Sequence, residues 1–416
     1  MIECAAQNDA KMLADFRYEL LAELHRINGY WLDEVLTEQS YIGEVSLDGA
    51  VNTEADKGII LATRMLWYFS EAAMYLEDDR LIKAASKMYH FICDHFIDEE
   101  SGGVFWMLNA TGLVINDRKQ VYAQAFAVYA LSAYARLTGS FKALSQAREI
   151  FLLIEEHAFD QENGGYLEAF SRGWGELEDI RLSEKDLPSE KTMNTHLHII
   201  EAYAGLLRAE KSLGEKVYSS QVRFSLLRLL EIYRTRFYNA KSRHLHMFLS
   251  KDWHDESTEI SYGHDIESSW LVWEAVSEIG DSAISDKFLP MVKALCEATV
   301  QEGMSRSNDC VYDLFVKETA TIEKDRVWWV QAEAMVGFMN AWELTGDSRY
   351  IGFVSAIWHY IKYDLLDLKQ GEWHWIAKSD QAPSNYHYKV GSWKGPYHNG
   401  RSLLELCVRI DLILSQ

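Results

Sequence analysis

A short turn that recurs six times along the chain constrains its fold more than any other feature. In its strongest form the turn is a Gly or polar pair followed by an aromatic-rich, strand-like run, as at residues 102–106, 164–168 and 371–375. Weaker versions occupy residues 41–45, 243–247 and 310–314. Because the turns lie roughly sixty to eighty residues apart, they divide the chain into six helical pairs, and such a period indicates a repeat architecture.

Between the turns, apolar residues recur at helical spacing. The clearest segments are residues 59–70, 122–137, 142–157, 196–208, 224–237, 270–279, 330–344 and 351–365. A helix pair cannot bury its own apolar face, so the pairs must stack, either in a line or in a closed ring. The many Trp and Tyr side chains favour the ring, since a pocket lined with aromatic rings needs a concave wall. We therefore predict one all-α domain over residues 1–416, an (α/α)6 barrel with short β-hairpin-like loops at the pocket end.

Charge and cysteine content exclude several classes of partner and location. The net charge is −22, and the acidic residues are scattered along the chain, which argues against nucleic acid or an anionic membrane as a partner. Five cysteines without a CxxC pair are typical of reduced thiols in a cytosolic protein. No secretory signal and no apolar run of membrane-spanning length is visible. We expect a cytoplasmic protein that is a monomer or at most a weak dimer.

Three segments place a histidine among polar residues, at 191–198, 261–267 and 396–401. Imidazole is the side chain that can both take and return a proton near neutral pH, so the three segments indicate proton-transfer chemistry. His198 shares a helix face with Asn194, a pair suited to sugar hydroxyls. His196 lies off that face and fits a structural role. His398 is expected in a loop at the mouth of the pocket, just before the last helix.

The second segment places a carboxylate near an imidazole. His264 and Glu267 are three residues apart and share a helix face, so we expect Glu267 to orient His264 and to raise its pKa. Trp270 extends the same face. A plain helix start would explain Asp265, beside the positive end of the helix dipole, but not His264.

Aromatic residues and one arginine indicate the substrate class. Trp329 precedes Glu333 by one helical turn, and flat indole faces match the C–H faces of a pyranose. Trp393 and Tyr122 are candidates for the same wall, as are the long loops at residues 174–190 and 378–395. Arg64 lies on an otherwise apolar helix, so it needs either a structural carboxylate or a transient anion such as a reaction intermediate.

Several motifs are missing from the sequence. It contains no phosphate-binding loop, no GxGxxG, no HExxH and no GxSxG elbow, and the histidines do not have zinc-site spacing with cysteines. We predict an enzyme that uses no cofactor and no metal.

In order along nearly the whole chain, the motifs resemble those of the cellobiose 2-epimerases of the N-acylglucosamine 2-epimerase superfamily. The matching segments are residues 55–58, 64, 191–194, 198, 261–267, 326–333 and 396–401. One departure is the first repeat turn, where the family has a Gly-Gly-Phe run and this chain has Tyr41-Ile-Gly-Glu44. The resemblance implies an (α/α)6 barrel, in agreement with the six turns.

The resemblance also implies roles for individual residues. His264 and His398 would be the acid/base pair, with His198 assisting. The residues around the carbonyl end of the reacting sugar would be Arg64, Tyr122 and Asn194. Those holding the sugar ring and the second sugar would be Asp186, Glu267, Trp270, Trp329, Glu333 and Trp393.

The implied reaction is epimerisation at C2 of the reducing-end glucose of β-1,4-linked disaccharides, from cellobiose to glucosyl-mannose and from lactose to epilactose. Ring opening exposes the aldehyde, one histidine removes the C2 proton to give a cis-enediolate, and another returns a proton to the opposite face. Three alternatives stay open. They are an aldose–ketose isomerase of mannose-type monosaccharides, an inverting glycoside hydrolase with paired carboxylates, and a sugar-binding scaffold.

Overall fold

The computed structural model describes residues 2–215, 217–377 and 388–415, with side chains from residue 11 onward except at 217. Twelve α-helices make up most of this part of the chain. They are α1 (Ile2–Tyr30), α2 (Ile59–Leu76), α3 (Asp79–His95), α4 (Val121–Thr138), α5 (Phe141–Leu153), α6 (Met193–Ser212), α7 (Val217–Ile232), α8 (Tyr262–Ile279), α9 (Ser282–Ala298), α10 (Trp328–Thr345), α11 (Ser348–Tyr360) and α12 (His398–Leu414).

The even-numbered helices form a closed inner ring. Each packs against the next even-numbered helix, and α12 returns to contact α2. The odd-numbered helices form an outer layer, in which α3, α5, α7, α9 and α11 each pack on the preceding inner helix and α1 packs on α12. Inner helices are buried around almost their whole circumference, whereas an outer helix such as α3 buries one stripe. The predicted (α/α)6 barrel is confirmed.

Each predicted turn is a tight hairpin clamped to an inner helix. In the second hairpin, Gln124 of α4 donates from Nε2 to the carbonyl of Val104 and accepts from its N–H, at 2.9 and 2.8 Å. In the third, His196 of α6 accepts from the N–H of Tyr166 at 2.9 Å. Gly103 has φ +73°, and a Cβ there would lie 2.5 Å from Gln124 Oε1, so the clamp itself requires glycine. His196 is fully buried in this structural role, as its position off the polar face predicts.

Buried ion pairs fasten two of these hairpins to the strand that precedes the next inner helix. Lys119 Nζ lies 2.8 Å from Asp98, and Lys191 Nζ lies 2.9 Å from Asp160. The two aspartates also accept N–H groups of their own turns. One carboxylate therefore closes the turn and fixes the entry of the chain into the barrel.

Short strands lie at the N-terminal ends of the inner helices. They are β1 (Glu44–Ser46), β2 (Val51–Asn52), β3 (Lys57–Gly58), β4 (Met107–Leu108), β5 (Val114–Asn116), β6 (Lys119–Gln120), β7 (Ala169–Phe170), β8 (Lys191–Thr192), β9 (Tyr238–Asn239), β10 (His244–Leu245), β11 (Phe248–Leu249), β12 (Glu259–Ser261), β13 (Leu314–Val316), β14 (Thr321–Glu323) and β15 (Tyr388–Val390). All pair antiparallel, in the orders β15-β1-β2, β3-β4-β5, β6-β7, β8-β11, β9-β10 and β12-β13-β14. Since β3, β6, β8 and β12 run directly into inner helices, the strands and the positive ends of the helix dipoles surround one end of the barrel.

The sequence predicts reduced cysteines and no membrane-spanning segment. Cys93, Cys296, Cys310 and Cys407 form no disulfide, and the side chain of Cys4 lies outside the described residues. None of the described helices has the length and apolarity that crossing a bilayer requires. Of the predicted loop 378–395, residues 378–387 lie outside the described ranges.

Candidate active site

Side chains at matching positions of the six inner helices meet at the barrel axis. They are the sixth residues of α2, α4, α6, α8 and α10 and the fourth of α12, namely Arg64, Phe126, His198, Glu267, Glu333 and Arg401. Neighbours in this layer touch: Arg64 lies 4.9 Å from the Phe126 ring centroid, and the Phe126 and His198 rings are 4.9 Å apart. A repeat architecture thus brings residues far apart in sequence into one polar layer.

Arg401 is the centre of the acidic half of this layer. Its guanidinium is 1% exposed, and Nη2 donates to both Glu267 and Glu333 at 2.7 Å. Nη1 donates to Glu201 and to the hydroxyl of Tyr397. Burial opposes the charge of Arg401, but the surrounding carboxylates outweigh it and hold its pKa well above the ordinary value. One cation therefore organises three buried carboxylates.

His398 is held by one of those carboxylates. Its Nδ1 lies 2.7 Å from Glu333 Oε1, an oxygen that also accepts from Arg401, and Trp270 donates to the other oxygen at 3.0 Å. Arg401 and Trp270 can only donate, so with Glu333 ionised the hydrogen bond to His398 requires a proton on Nδ1 and leaves a lone pair on Nε2. Burial and nearby guanidiniums lower the pKa of His398 well below its ordinary value, so the ring is a neutral base. His398 is the first residue of α12 and is buried, so its predicted place in a loop at the mouth is wrong.

His198 has a similar carboxylate partner. Its Nδ1 lies 2.8 Å from Glu201 Oε2, one helical turn further along α6. Burial lowers the pKa of His198. Glu201 stays ionised, because Arg401 and the hydrogen bond from His198 outweigh the cost of burial and lower its pKa to about 2.

His264 differs from both, because its partner is a hydroxyl. Its Nδ1 lies 2.8 Å from Ser261 Oγ, and Ser261 also caps α8 by accepting the backbone N–H of His264. The predicted pairing with Glu267 is wrong, since Glu267 points to Arg401 on the barrel axis. The predicted rise in pKa is also wrong, because burial and the nearby His198 lower the pKa of His264 to about 3.

The rings of His264 and His398 border the same indole. Their centroids lie 4.9 and 5.5 Å from that of Trp329. His264 is partly exposed, and Trp329 is only partly buried, so this wall of the barrel is open on one side. The two candidate acid/base residues therefore belong to one site although they come from different helices.

Arg64 pairs with no carboxylate among the residues that the structure describes. It donates to the carbonyl of Trp393 at 3.0 Å and to the hydroxyl of Tyr122 at 3.1 Å. The rings of Phe126 and Tyr397 flank its guanidinium at 4.9 and 4.8 Å. Its Nε is buried and has no hydrogen-bond partner in the ranges that the structure describes. A buried cation held only by neutral groups suits a transient anion.

The other predicted residues fall into two groups. Tyr122, Trp329, Glu333 and Trp393 lie against the histidines or Arg64, as above, and Tyr122 packs edge-on to His198 with centroids 4.9 Å apart. Trp270 lies behind them, against Glu333 and Arg401. Asn194, in the first turn of α6, has a buried Oδ1 that no described residue contacts by a hydrogen bond. Asp186 lies in the loop at 174–190, where it accepts from the backbone N–H of Ser183 at 2.8 Å. No contact joins Asp186 to the histidines within the described ranges.

One cluster has the chemistry of a metal site. Ligand atoms of Glu267, Glu333 and His398 lie within 4.8 Å of one another. Both carboxylates, however, already receive Arg401, and His398 Nδ1 donates to Glu333. Burial and the adjacent Glu333 raise the pKa of Glu267 to about 8, which favours the protonated form of Glu267 at neutral pH. The guanidinium of Arg401 therefore already supplies these two carboxyl groups with the positive charge that a metal ion would supply.

Sequence reasoning missed four residues that bind the histidines or their carboxylate partners. Arg401, Glu201, Tyr397 and Ser261 were not among the predicted site residues. The signal that could have found Arg401 was its position: it is the fourth residue of its helix, and four predicted site residues are the sixth residues of theirs. The site combines three neutral imidazoles, several indoles and one arginine that has no carboxylate partner among the described residues, a set that can remove and return protons next to a developing negative charge.

Comparisons with known proteins identify the family of the chain. The model of the N-acylglucosamine 2-epimerase (GlcNAc 2-epimerase) family matches residues 40–399. A cellobiose 2-epimerase of Bacteroides fragilis is 37% identical over 383 residues, 92% of this chain and 95% of the relative. A more distant relative, a D-mannose isomerase of Thermobifida fusca, is 25% identical over 72% of this chain and 71% of its own length.

Solved structures give the same result. The cellobiose 2-epimerase of Spirochaeta thermophila matches with TM-score 0.89 and 35% identity over 97% of this chain and 98% of that one. That of Bacillus thermoamylovorans matches with TM-score 0.88 and 35% identity over 95% and 100%. The chain therefore belongs to the N-acylglucosamine 2-epimerase family and is a carbohydrate epimerase.

Proposed function

We propose that the protein epimerises C2 of the reducing-end glucose of β-1,4-linked disaccharides, without a cofactor. Cellobiose would become glucosyl-mannose, and lactose would become epilactose. The relatives named cellobiose 2-epimerase support a disaccharide substrate with a free reducing end. The indoles of Trp329 and Trp393 offer flat faces for the sugar rings.

The first step needs a base and a place for negative charge. Once the sugar ring has opened, the C1 aldehyde makes the C2 hydrogen acidic, because the resulting charge spreads into an enediolate. His398 Nε2 suits removal of this proton, since its Nδ1–H is fixed by Glu333 at 2.7 Å. Arg64, which has no carboxylate partner among the described residues, would stabilise the enediolate oxygen.

The second step needs an acid on the opposite face. His264 suits this role because Ser261 can serve both of its protonation states. The hydroxyl donates to Nδ1 of the neutral ring and accepts from Nδ1–H of the imidazolium. His264 is neutral in the free enzyme, so it must first take a proton from solvent, which the negative charge of the enediolate beside it favours. After the intermediate rearranges, the His264 imidazolium delivers this proton to C2 and becomes neutral, while His398 holds the proton that was removed and later releases it to solvent. The roles exchange in the reverse reaction, and His198 would pass hydroxyl protons.

One observation carries this proposal. The imidazoles of His264 and His398 border one indole, and the buried carboxylates beside them are engaged by Arg401. An inverting glycoside hydrolase would need two free carboxyl groups that face the glycosidic bond. Here Glu267 and Glu333 share a guanidinium, which favours proton transfer at carbon over hydrolysis.

An aldose–ketose isomerase of mannose-type sugars is the second candidate. It would use the same enediolate and return the proton to C1. The similarity to a D-mannose isomerase supports it, although at lower identity than the cellobiose 2-epimerases. Identifying the products by NMR separates an epimer from a ketose.

The test of the acid/base pair is deuterium incorporation at C2 of cellobiose in heavy water. We expect His264→Ala and His398→Ala each to abolish incorporation while circular dichroism and the melting temperature stay near those of the wild type. His254→Ala is the matched control, because this ring is 81% exposed, and it should exchange normally. Normal exchange in both His264→Ala and His398→Ala would refute the assignment.

A further inference from the structure

One buried glycine lies where two inner helices approach each other beside the acid/base histidines. Gly263 is the second residue of α8, between the capping Ser261 and His264. Its φ is not positive, so its backbone is open to any residue and only a lack of space can require glycine. A Cβ on Gly263 would lie 2.5 Å from Cη2 of Trp329 and 2.8 Å from Cγ2 of Val330. The first turn of α10 therefore packs directly on the α-carbon of Gly263.

The ring that covers Gly263 is the indole that borders both histidines. The centroid of Trp329 lies 4.9 Å from that of His264 and 5.5 Å from that of His398, with the ring planes inclined by 57° and 45°. Within the described ranges the side chain of Trp329 makes no hydrogen bond, so packing alone fixes the place of the indole. An atom added beneath the indole therefore moves it relative to the two imidazoles.

The distances show how far the indole would move. Ordinary contacts of a Cβ begin at 3.4 Å, so a side chain as small as alanine pushes Cη2 outward by roughly 1 Å. The neighbouring Cζ3 of the same ring would lie at 3.0 Å, so the whole outer edge of the indole has to retreat. His264 is not free to follow, because Ser261 Oγ holds its Nδ1 at 2.8 Å. A misplacement of this size at reacting groups costs about 10²-fold in rate.

We propose that Gly263 is a positioning residue, which lets the indole of Trp329 lie against both imidazoles and thereby sets the geometry of the acid/base pair. The inference rests on the proposed roles of His264 and His398. The first turn of α8 then fixes His264 in two ways, because Ser261 binds Nδ1 and the missing side chain of Gly263 admits the indole beside the ring. Gly263 acts through Trp329 and not on the sugar.

The test is a double-mutant cycle between Gly263→Ala and Trp329→Phe, read as kcat/KM for deuterium incorporation at C2 of cellobiose. A phenyl ring lacks the outer edge of the indole and leaves room for the alanine methyl. Gly263→Ala should lower kcat/KM about 10²-fold in the wild-type background and by about twofold or less in the Trp329→Phe background. Gly352→Ala is the matched control and should leave kcat/KM unchanged, because this glycine is exposed on α11 and its Cβ would meet no atom within 4 Å.

A second readout does not depend on turnover. The carbon-bound ring protons of His264 and His398, assigned by NMR with His264→Ala and His398→Ala, should shift in Gly263→Ala, because the ring current of the indole acts at these distances. If the wild type exchanges no proton at C2 but these resonances shift, the proposed reaction fails and the positioning role stands.

Several results would overturn the positioning role. They are wild-type kcat/KM in Gly263→Ala, unchanged imidazole resonances, and an equal loss of kcat/KM in both Trp329 backgrounds. Relief of the loss by Val330→Ala and not by Trp329→Phe would assign Gly263 to the general packing of α8 on α10. If Gly263→Ala alone does not fold, recovery of the fold in Gly263→Ala/Trp329→Phe supports the contact, and no recovery overturns it.

Discussion

Replacing Glu333 by Gln tests the idea that this carboxylate fixes the proton of His398. Glu333 accepts three hydrogen bonds and donates none: His398 and Arg401 bind Oε1 at 2.7 Å each, and Trp270 binds Oε2 at 3.0 Å. A glutamine amide has one accepting atom and one donating atom. If the amide NH2 faces Trp270, two donors meet. If it faces His398, it donates to Nδ1 and moves the imidazole proton to Nε2, the atom that should act as the base.

The size of the effect follows from these contacts. One buried donor left unpaired costs about 1–3 kcal/mol of folding free energy. Breaking a buried ion pair costs about 3–5 kcal/mol, but here the loss is smaller, because Arg401 keeps Glu201 and Glu267. Removing the charge of Glu333 also removes one cause of the raised pKa of Glu267, which can then ionise and replace it. We expect a folded variant whose exchange rate at C2 falls by about 10²–10⁴, the range of a lost general base.

The assay is deuterium incorporation at C2 of cellobiose as a function of pH, together with thermal melting. Glu201→Gln is the matched control, since Glu201 also binds Arg401 and a histidine. His198 has only an assisting role, so this control should slow exchange much less than Glu333→Gln. Wild-type exchange rates in Glu333→Gln, with an unchanged pH profile, would refute the reasoning.

Three further predictions concern the hydroxyl, a buried ion pair and a buried histidine. Ser261→Ala should cost about 1 kcal/mol of stability through the lost helix cap and should slow deuterium exchange through His264, whereas Ser261→Thr should keep both the stability and the exchange rate. Normal exchange in the alanine variant would contradict the role of the hydroxyl. Lys191→Met should lower the free energy of unfolding in urea by about 3–5 kcal/mol, because it leaves the Asp160 carboxylate without its cation, and adding Asp160→Asn should recover part of that loss. Equal losses in the single and the double variant would argue against a stabilising ion pair between Lys191 and Asp160. Two carboxylates hold the pKa of His244 above its ordinary value despite burial, so the contribution of His244 to stability is complete below about pH 6.5 and is lost as pH rises through the raised pKa. His244→Gln should therefore lower the melting temperature more at pH 5.5 than at pH 9. An equal drop at both pH values would refute this.

The barrel could be predicted because its signals are local. A turn such as the one around Gly103 needs a positive φ, and an inner helix such as α4 needs an apolar surface on nearly every side. These requirements act within a few residues, so each repeat can be recognised from its own stretch of sequence. The outer helices α1, α3 and α9 were not among the predicted segments, although α3 buries a clear apolar stripe.

The sequence by itself determined six helical pairs and three histidine segments, because turn conformation and helix periodicity depend on near neighbours. Only the tertiary structure decided which carboxylate serves which imidazole. Glu267 is a near neighbour of His264 on α8 but points to Arg401, while Glu333 on α10 holds His398 on α12. Partners of this kind come from different helices, and a side chain's direction toward the axis is set by how the ring closes, which no short stretch of sequence encodes.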